Sequence, residues 1–195
     1  KQKTAYEMLR SLVGSEMCIR DSYAGISSYP PDMTRRAAAL LRGMGARCVV
    51  HQPKYSLYER WIEKELLDVL ASEGIGCVAF SPLAQGLLTD RYLDGIPADS
   101  RAASPHGYLR RHQVTDAVIR ASRALRDIAR ARGQSLAQMA LAWALRDPRV
   151  TSLIIGASRT AQIDENLGAL DSPPFTEQQL REMDRIVATV AVPPR

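Results

Sequence analysis

Short apolar segments alternate along this chain with segments whose apolar residues recur at helical spacing. The pattern predicts strands over residues 23–27, 48–51, 77–80 and 150–155. It predicts helices from Pro30 or Pro31 to Arg42 and over residues 60–72, 115–132, 135–146 and 176–188. Apolar strands that alternate with helices are typical of a parallel sheet covered by helices, so the expected class is α/β.

The number of strands limits the architecture further. Four βα units are half of a (β/α)8 TIM barrel, in which eight units typically take about 250 residues. A chain of 195 residues is therefore a fragment of such a barrel, or it pairs its open sheet edges in some other way.

The segment from Val150 to Asn166 points to an anion site. Leu153, Ile154 and Ile155 are expected to form a buried strand that ends at a glycine turn, followed by a helix. Gly156 leaves room for a close approach because it has no Cβ, and Ser158 precedes the free amides that open the helix. The sequence therefore predicts a phosphate-bearing cofactor at this turn.

Composition excludes several classes of protein. No apolar run reaches the length of about 18 residues that a membrane-spanning helix needs. The net charge of +5 comes mainly from arginines spread over helix faces, which argues against nucleic-acid binding. Cys18, Cys48 and Cys77 lack metal-site spacing, so we expect structural thiols and a cytoplasmic location. His106 and His112 have no carboxylate or cysteine at ligand spacing, so no metal site is expected.

A resemblance to a known family is carried by five stretches: Gly25-Ile-Ser-Ser28, His51-Gln-Pro-Lys-Tyr55, Phe80-Ser-Pro-Leu-Ala-Gln-Gly-Leu-Leu88, Gly95-Ile-Pro-Ala-Asp-Ser-Arg101 and Gly156-Ala-Ser-Arg-Thr-Ala-Gln-Ile-Asp-Glu-Asn166. In this order they resemble the C-terminal half of an aldo/keto reductase, a barrel enzyme that reduces carbonyls with NADPH. Within the family, residues 81–86 and 132–135 are most similar to the branch of the potassium-channel β-subunits and the bacterial glyceraldehyde 3-phosphate and methylglyoxal reductases. The resemblance implies a C-terminal half-barrel from residue 23 onward.

The resemblance also implies a set of NADPH-binding residues: Ser27, Ser28, Gln52, Phe80, Ser81, Pro82, Leu83, Ala84, Gln85, Arg91, Arg101, Gly156, Ser158, Arg159, Gln162, Glu165 and Asn166. Gln52, helped by Ser27, would hydrogen-bond the nicotinamide carboxamide, and Phe80 would stack on the ring. Residues 81–85 would line the pyrophosphate path, with Arg91 and Arg101 as cations against phosphate.

The adenosine end of the cofactor would be held by residues 156–166, with Glu165 and Asn166 reaching the adenine. Arg159 favours a 2′-phosphate and therefore NADPH over NADH.

Purely structural interpretations remain for two of these positions. Gln52 also fits an ordinary polar group at a strand end. Phe80 by itself fits a core aromatic residue, but the Ser-Pro-Leu sequence after it favours the stacking role.

No residue of the sequence matches the motifs of the family's catalytic tetrad of Asp, Tyr, Lys and His, which supplies the proton. We therefore assign no catalytic residue and expect the chain alone to be inactive. The resemblance implies a parent enzyme that reduces a small aldehyde or ketone. The alternatives are a non-catalytic NADPH-binding regulatory subunit, like the channel β-subunits, and an inactive gene fragment. Neither the substrate nor the oligomeric state is predicted.

Residues 1–22 do not resemble the family. The residues from Ser11 to Ser22 are similar to translated sequencing-adapter read-through. The alternative is an amphipathic helix using Tyr6, Leu9, Leu12 and Val13. The expected organisation is a foreign leader over residues 1–22 and a half-barrel over residues 23–195.

Overall fold

A computed structural model describes residues 23–104 and 108–190. The predicted leader over residues 1–22, Cys18 within it, and His106 lie outside the described residues. No helix in the described part of the chain is long and apolar enough to cross a membrane.

The strands form one sheet in the order β1-β2-β3-β4. Their bounds are β1 Ala24–Ser27, β2 Cys48–Gln52, β3 Gly76–Phe80 and β4 Val150–Ile154. β1 pairs with β2, and β2 with β3, in parallel. The carboxyl ends of these parallel strands consequently share one edge, and the predicted α/β architecture is confirmed.

The described residues form six α-helices: α1 Pro31–Gly43, α2 Leu66–Glu73, α3 Asp116–Ala131, α4 Leu136–Leu145, α5 Thr160–Leu167 and α6 Glu177–Ala188. The hydroxyl groups of Thr115, Ser135 and Thr176 cap α3, α4 and α6 by accepting a hydrogen bond from a backbone amide in the first turn. These side chains explain why the three helices begin where the sequence predicts.

The prediction of a single helix over residues 60–72 is wrong. The structure has a short 3-10 helix, Trp61–Glu63, followed by α2. Glu65 breaks the helical path with φ −151° and ψ −34°, and the Trp61 indole donates to the Lys54 carbonyl oxygen at 3.1 Å. This local anchoring overrides the helical pattern of the sequence.

The described residues divide into two compact units. The first unit comprises residues 23–54, 61–80 and 148–152, where α1 and α2 bury Leu41, Leu66 and Leu70. The second comprises residues 55–60, 81–104, 108–147 and 153–190, and its core includes Leu125, Trp143 and other buried side chains of α3 and α4.

The prediction that Leu153, Ile154 and Ile155 form a buried strand is wrong. Ile154 is 43% exposed, and Leu153 and Ile155 are only partly buried. β4 is the last strand of the sheet, so no described strand lies beyond it to cover this side.

Candidate functional site

In the first unit, three of the predicted site residues meet where β1 and β2 end. The Ser27 hydroxyl donates to the Gln52 carbonyl oxygen at 2.8 Å, and the Ser28 amide donates to the same oxygen at 3.2 Å. Ser27 lies directly opposite Gln52 in the parallel pairing. This arrangement fixes the backbone of Gln52 and leaves its half-buried side-chain amide available to bind a polar group.

Phe80 ends β3 in the same unit. Its amide donates to the Pro53 carbonyl oxygen at 2.9 Å, and it forms a bridge with Lys54. The ring is partly exposed, whereas Cys77 and Ala79 of the same strand are fully buried. A partly exposed aromatic ring can present a flat apolar face to a ligand.

In the second unit, residues 81–88 form a turn with an unusual backbone. Ser81, Ala84 and Gln85 have φ values of 56°, 48° and 60°. Ala84–Gly86 is a short 3-10 helix, and the Gln85 side-chain amide donates to the Ser81 hydroxyl at 2.9 Å. Pro82 and Ala84 are buried, while Leu83 is partly exposed.

Residues with a left-handed backbone conformation are among the predicted site residues. The non-glycine residues with positive φ in the described part of the chain are Ser28, Ser81, Ala84 and Gln85, and all four were predicted to bind the cofactor. Such conformations cost roughly 1–3 kcal/mol each and concentrate at functional sites. The strain supports the functional interpretation of these turns.

Arg101 joins two of the predicted segments of the second unit. Its guanidinium donates to the Gln85 side-chain oxygen at 3.0 Å, and its Nη2 atom lies 3.9 Å from the position a Cβ would occupy on Gly156. Ser81, Gln85, Arg101 and Gly156 therefore lie together, with a cation and a glycine surface that a phosphate oxygen can approach.

Arg91 has a different partner. It forms an ion pair with Asp99 at 3.0 Å and donates to the Asp99 carbonyl oxygen at the same distance. Its charge is used within the loop that follows the turn, and the structure does not show it joined to Gln85 or Gly156.

The beginning of α5 carries the remaining predicted residues. The Ser158 amide and hydroxyl both donate to the Gln162 side-chain oxygen, at 2.8 and 3.2 Å. Arg159 and Glu165 are exposed, and Arg159 occupies the N-cap position without a side-chain cap. Asn166 is only 7% exposed. The Gln162 side-chain oxygen thus accepts the hydrogen bond that the Ser158 amide would otherwise donate to an anion.

His51 lies beside Gln52 and is fully buried. Its Nε2 atom lies 3.1 Å from the Tyr29 carbonyl oxygen, and its Nδ1 atom has no hydrogen-bond partner among the described residues. Burial lowers the pKa of this imidazole, so the neutral form is favoured.

We expect His51 to make the protein less stable in mild acid. As the pH falls below about 6.5, the unfolded chain binds a proton that folded His51 resists, so the free energy of unfolding falls by up to about 1.4 kcal/mol per pH unit until the folded pKa is reached. Thermal melts between pH 7.5 and 5.5 check this, with His51→Gln predicted to flatten the dependence. The exposed His112, changed to Gln, is the matched control. Equal slopes for the original chain and His51→Gln would contradict the expectation.

Comparisons with known proteins agree with the residue-based resemblance. The sequence model of the aldo/keto reductase family matches residues 22–188. The L-glyceraldehyde 3-phosphate reductase of Escherichia coli K12 is 47% identical over 170 residues, covering 85% of this chain and 49% of the relative. A probable voltage-gated potassium channel subunit beta of Oryza sativa is 40% identical over 150 residues, covering 75% of this chain and 45% of the relative.

A solved structure shares the fold. The aldo-keto reductase of Bacillus halodurans in its holo form aligns over 95% of this chain and 58% of its own, with a TM-score of 0.65 and 20% sequence identity. The barrel-type α/β fold and the branch inferred from the residues are thereby confirmed. This chain spans about half the length of the curated relatives it matches.

Proposed function

Since this chain belongs to the aldo/keto reductase family, we propose that it is the cofactor-binding half of an NADPH-dependent carbonyl reductase. One observation carries the proposal: the hydrogen-bonded chain from Arg101 through Gln85 to Ser81, beside Gly156. It offers a cation, a hydroxyl and an unobstructed backbone, which is the donor set that a pyrophosphate needs.

In this proposal the chain binds and orients the cofactor, and NADPH supplies the hydride when bound. Arg101 and the turn at residues 81–85 neutralise phosphate charge. Gln52 hydrogen-bonds the carboxamide, and the ring of Phe80 limits the nicotinamide to one orientation. Residues 158–166 bind the adenosine end, with Arg159 at the 2′-phosphate.

Proton transfer is assigned to the Asp, Tyr, Lys and His tetrad of the family, for which this sequence offers no matching residues. We therefore propose that turnover requires residues outside this chain. The substrate is proposed to be a small aldehyde bearing a phosphate, because the Escherichia coli relative is named for such a compound. Both described cysteines, Cys48 and Cys77, are buried thiols outside any disulfide, which supports a reducing, cytoplasmic compartment.

Fluorescence titration of the 195-residue chain with NADPH, together with a carbonyl turnover assay, tests this function. We expect saturable binding of NADPH without turnover by the chain alone, and turnover by a longer natural protein that contains it. A folded chain that binds no NADPH would overturn the proposal. Absence of a cooperative melt by circular dichroism would favour an inactive gene fragment.

A regulatory subunit is the second candidate, because the rice relative is named as a potassium channel subunit. The same two assays on the longer protein separate the candidates. Tight NADPH binding without carbonyl turnover would favour regulation, whereas turnover would favour the reductase.

Arg159 is predicted to select NADPH over NADH. Arg159→Ala should weaken NADPH binding about 10- to 100-fold and leave NADH binding nearly unchanged, because a charge-assisted hydrogen bond to phosphate contributes about 1.5–3 kcal/mol. Parallel titrations with the two cofactors measure this ratio. Arg120→Ala removes an exposed arginine from α3 and serves as the matched control. An equal loss for both cofactors would contradict the assignment.

A further inference from the structure

Two buried hydroxyl groups of the second unit lie behind the turn at residues 81–88. Tyr58 is 7% exposed and Ser122, in α3, is 2% exposed. Their oxygens are 2.7 Å apart, and the Ser122 hydroxyl also lies 2.8 Å from the Leu87 carbonyl oxygen, to which it donates. Ser122 therefore links Tyr58, which lies 64 positions earlier in the chain, to the backbone of the turn.

The donor and the acceptor of each hydrogen bond in this contact can be assigned. A serine hydroxyl carries one hydrogen, and Ser122 gives it to Leu87, so Tyr58 must donate to Ser122. Burial raises the pKa of Tyr58 to about 12, so the phenol keeps its hydrogen throughout the neutral range. Tyr58, Ser122 and Leu87 form a continuous donor chain that ends on the backbone of the turn.

Leu87 is a suitable point to hold the turn. Its amide donates to the Ala84 carbonyl oxygen at 3.2 Å, which closes the 3-10 helix, and the left-handed Ala84 and Gln85 come just before it. The next residue, Leu88, is fully buried, and its amide donates to the Leu83 carbonyl oxygen at 3.2 Å. Left-handed residues persist only where their surroundings restrain them.

We propose that Tyr58 and Ser122 are positioning residues, which hold the turn at residues 81–88 in the conformation that binds the cofactor pyrophosphate. This inference rests on the proposed function and extends it to two side chains that need not touch the cofactor. The pair fixes the carbonyl of Leu87, and thereby the orientation of Gln85 toward Arg101.

Hydrogen exchange in the absence of cofactor tests the restraint. Tyr58→Phe should increase exchange at the Gly86 and Leu88 amides about 5- to 10-fold, as expected for the loss of one buried hydrogen bond. Tyr55→Phe is the matched control, because Tyr55 is also buried and its hydroxyl accepts a hydrogen bond from Arg146 at 2.9 Å. Unchanged exchange in Tyr58→Phe would overturn the inference.

Equilibrium titration with NADPH tests the consequence for binding. Tyr58→Phe and Ser122→Ala should each raise the Kd for NADPH about 5- to 10-fold, and the double variant should be little weaker than Ser122→Ala because the two groups act as one chain. Tyr55→Phe should leave the Kd unchanged at a similar cost in melting temperature. Binding of adenosine 2′-monophosphate should be unaffected, since it carries neither phosphate of the pyrophosphate.

The outcomes distinguish a failure of the proposed function from a failure of the positioning role of Tyr58 and Ser122. Failure of the original chain to bind NADPH overturns the proposed function, while exchange at Gly86 and Leu88 still decides whether the pair restrains the turn. Faster exchange with an unchanged Kd overturns the link to the cofactor. Equal loss of affinity for NADPH and for adenosine 2′-monophosphate overturns it too, because it indicates general loosening of the fold.

Discussion

Replacing Arg101 with methionine is expected to weaken NADPH binding by about 10- to 100-fold, since hydrogen bonds to charged groups contribute about 1.5–3 kcal/mol. The guanidinium is exposed, donates to Gln85 and lies beside Gly156, so its loss removes the cation and one of the two side-chain hydrogen bonds of Gln85. Methionine keeps most of the length of the side chain, which limits the change to charge and hydrogen bonding. Fluorescence titration with NADPH measures the effect.

Arg181→Met is the matched control for this variant. Arg181 is exposed on α6 and pairs with Glu177 one helical turn away, at 3.0 Å. Its replacement should leave the affinity for NADPH unchanged. If Arg101→Met and Arg181→Met bind NADPH equally well, the anion site is not where we propose it.

Trp143→Ala should have the largest effect on stability, about 3–5 kcal/mol of the free energy of unfolding. The side chain is fully buried in α4, with the Tyr55 ring centroid 5.3 Å away and the Arg146 guanidinium 3.9 Å from its ring centroid. Domains of this size are typically stable by only about 5–15 kcal/mol, so the loss is a large share of the total. Urea unfolding followed by circular dichroism measures it.

Two further variants serve as controls for Trp143→Ala. Tyr108→Ala removes an aromatic ring that is 90% exposed and should change stability by less than about 0.5 kcal/mol. Trp143→Phe keeps a ring and removes an indole N–H that has no partner among the described residues, so it should cost less than Trp143→Ala. A loss for Trp143→Ala as small as that for Tyr108→Ala would contradict the packing seen in the second unit.

Much of the fold could be predicted because its signals are local. The helix at Asp116–Ala131 begins after Thr115 and that at Leu136–Leu145 after Ser135, as hydroxyl caps before apolar periodic segments indicate. The break near Glu65 could not be predicted, because it depends on the Trp61 contact with the Lys54 carbonyl. The exposure of Ile154 depends on the position of its strand in the sheet, which an apolar run does not specify.

The backbone geometry of the candidate site residues could not be predicted from the sequence. Motifs that follow predicted strands indicated Gln52, Ser81 and Gly156 as candidates, and their roles in binding a cofactor stay predictions. The left-handed backbone of Ala84 and Gln85 could not be predicted from the sequence, because alanine and glutamine rarely adopt this conformation.

Contacts distant in sequence were also missed. The pairing of Tyr58 with Ser122 spans 64 positions and leaves no periodic signal. No rule of spacing indicated the ion pair of Arg91 with Asp99, and the role of Arg91 against phosphate stays a prediction.

The sequential order of the strands has a consequence for how the chain assembles in time. β1 and β2, and then β2 and β3, join residues about 25 positions apart, such as Ala24 with Cys48 and Val50 with Gly76. The contact of β3 with β4 spans 74 positions, from the Cys77 amide to the Thr151 hydroxyl. Closing that longer loop costs about 1 kcal/mol more in chain entropy, since each doubling of length adds about 0.6 kcal/mol. We therefore expect the first three strands to nucleate folding and β4 to dock last, so destabilising substitutions in β4 should speed unfolding more than they slow folding.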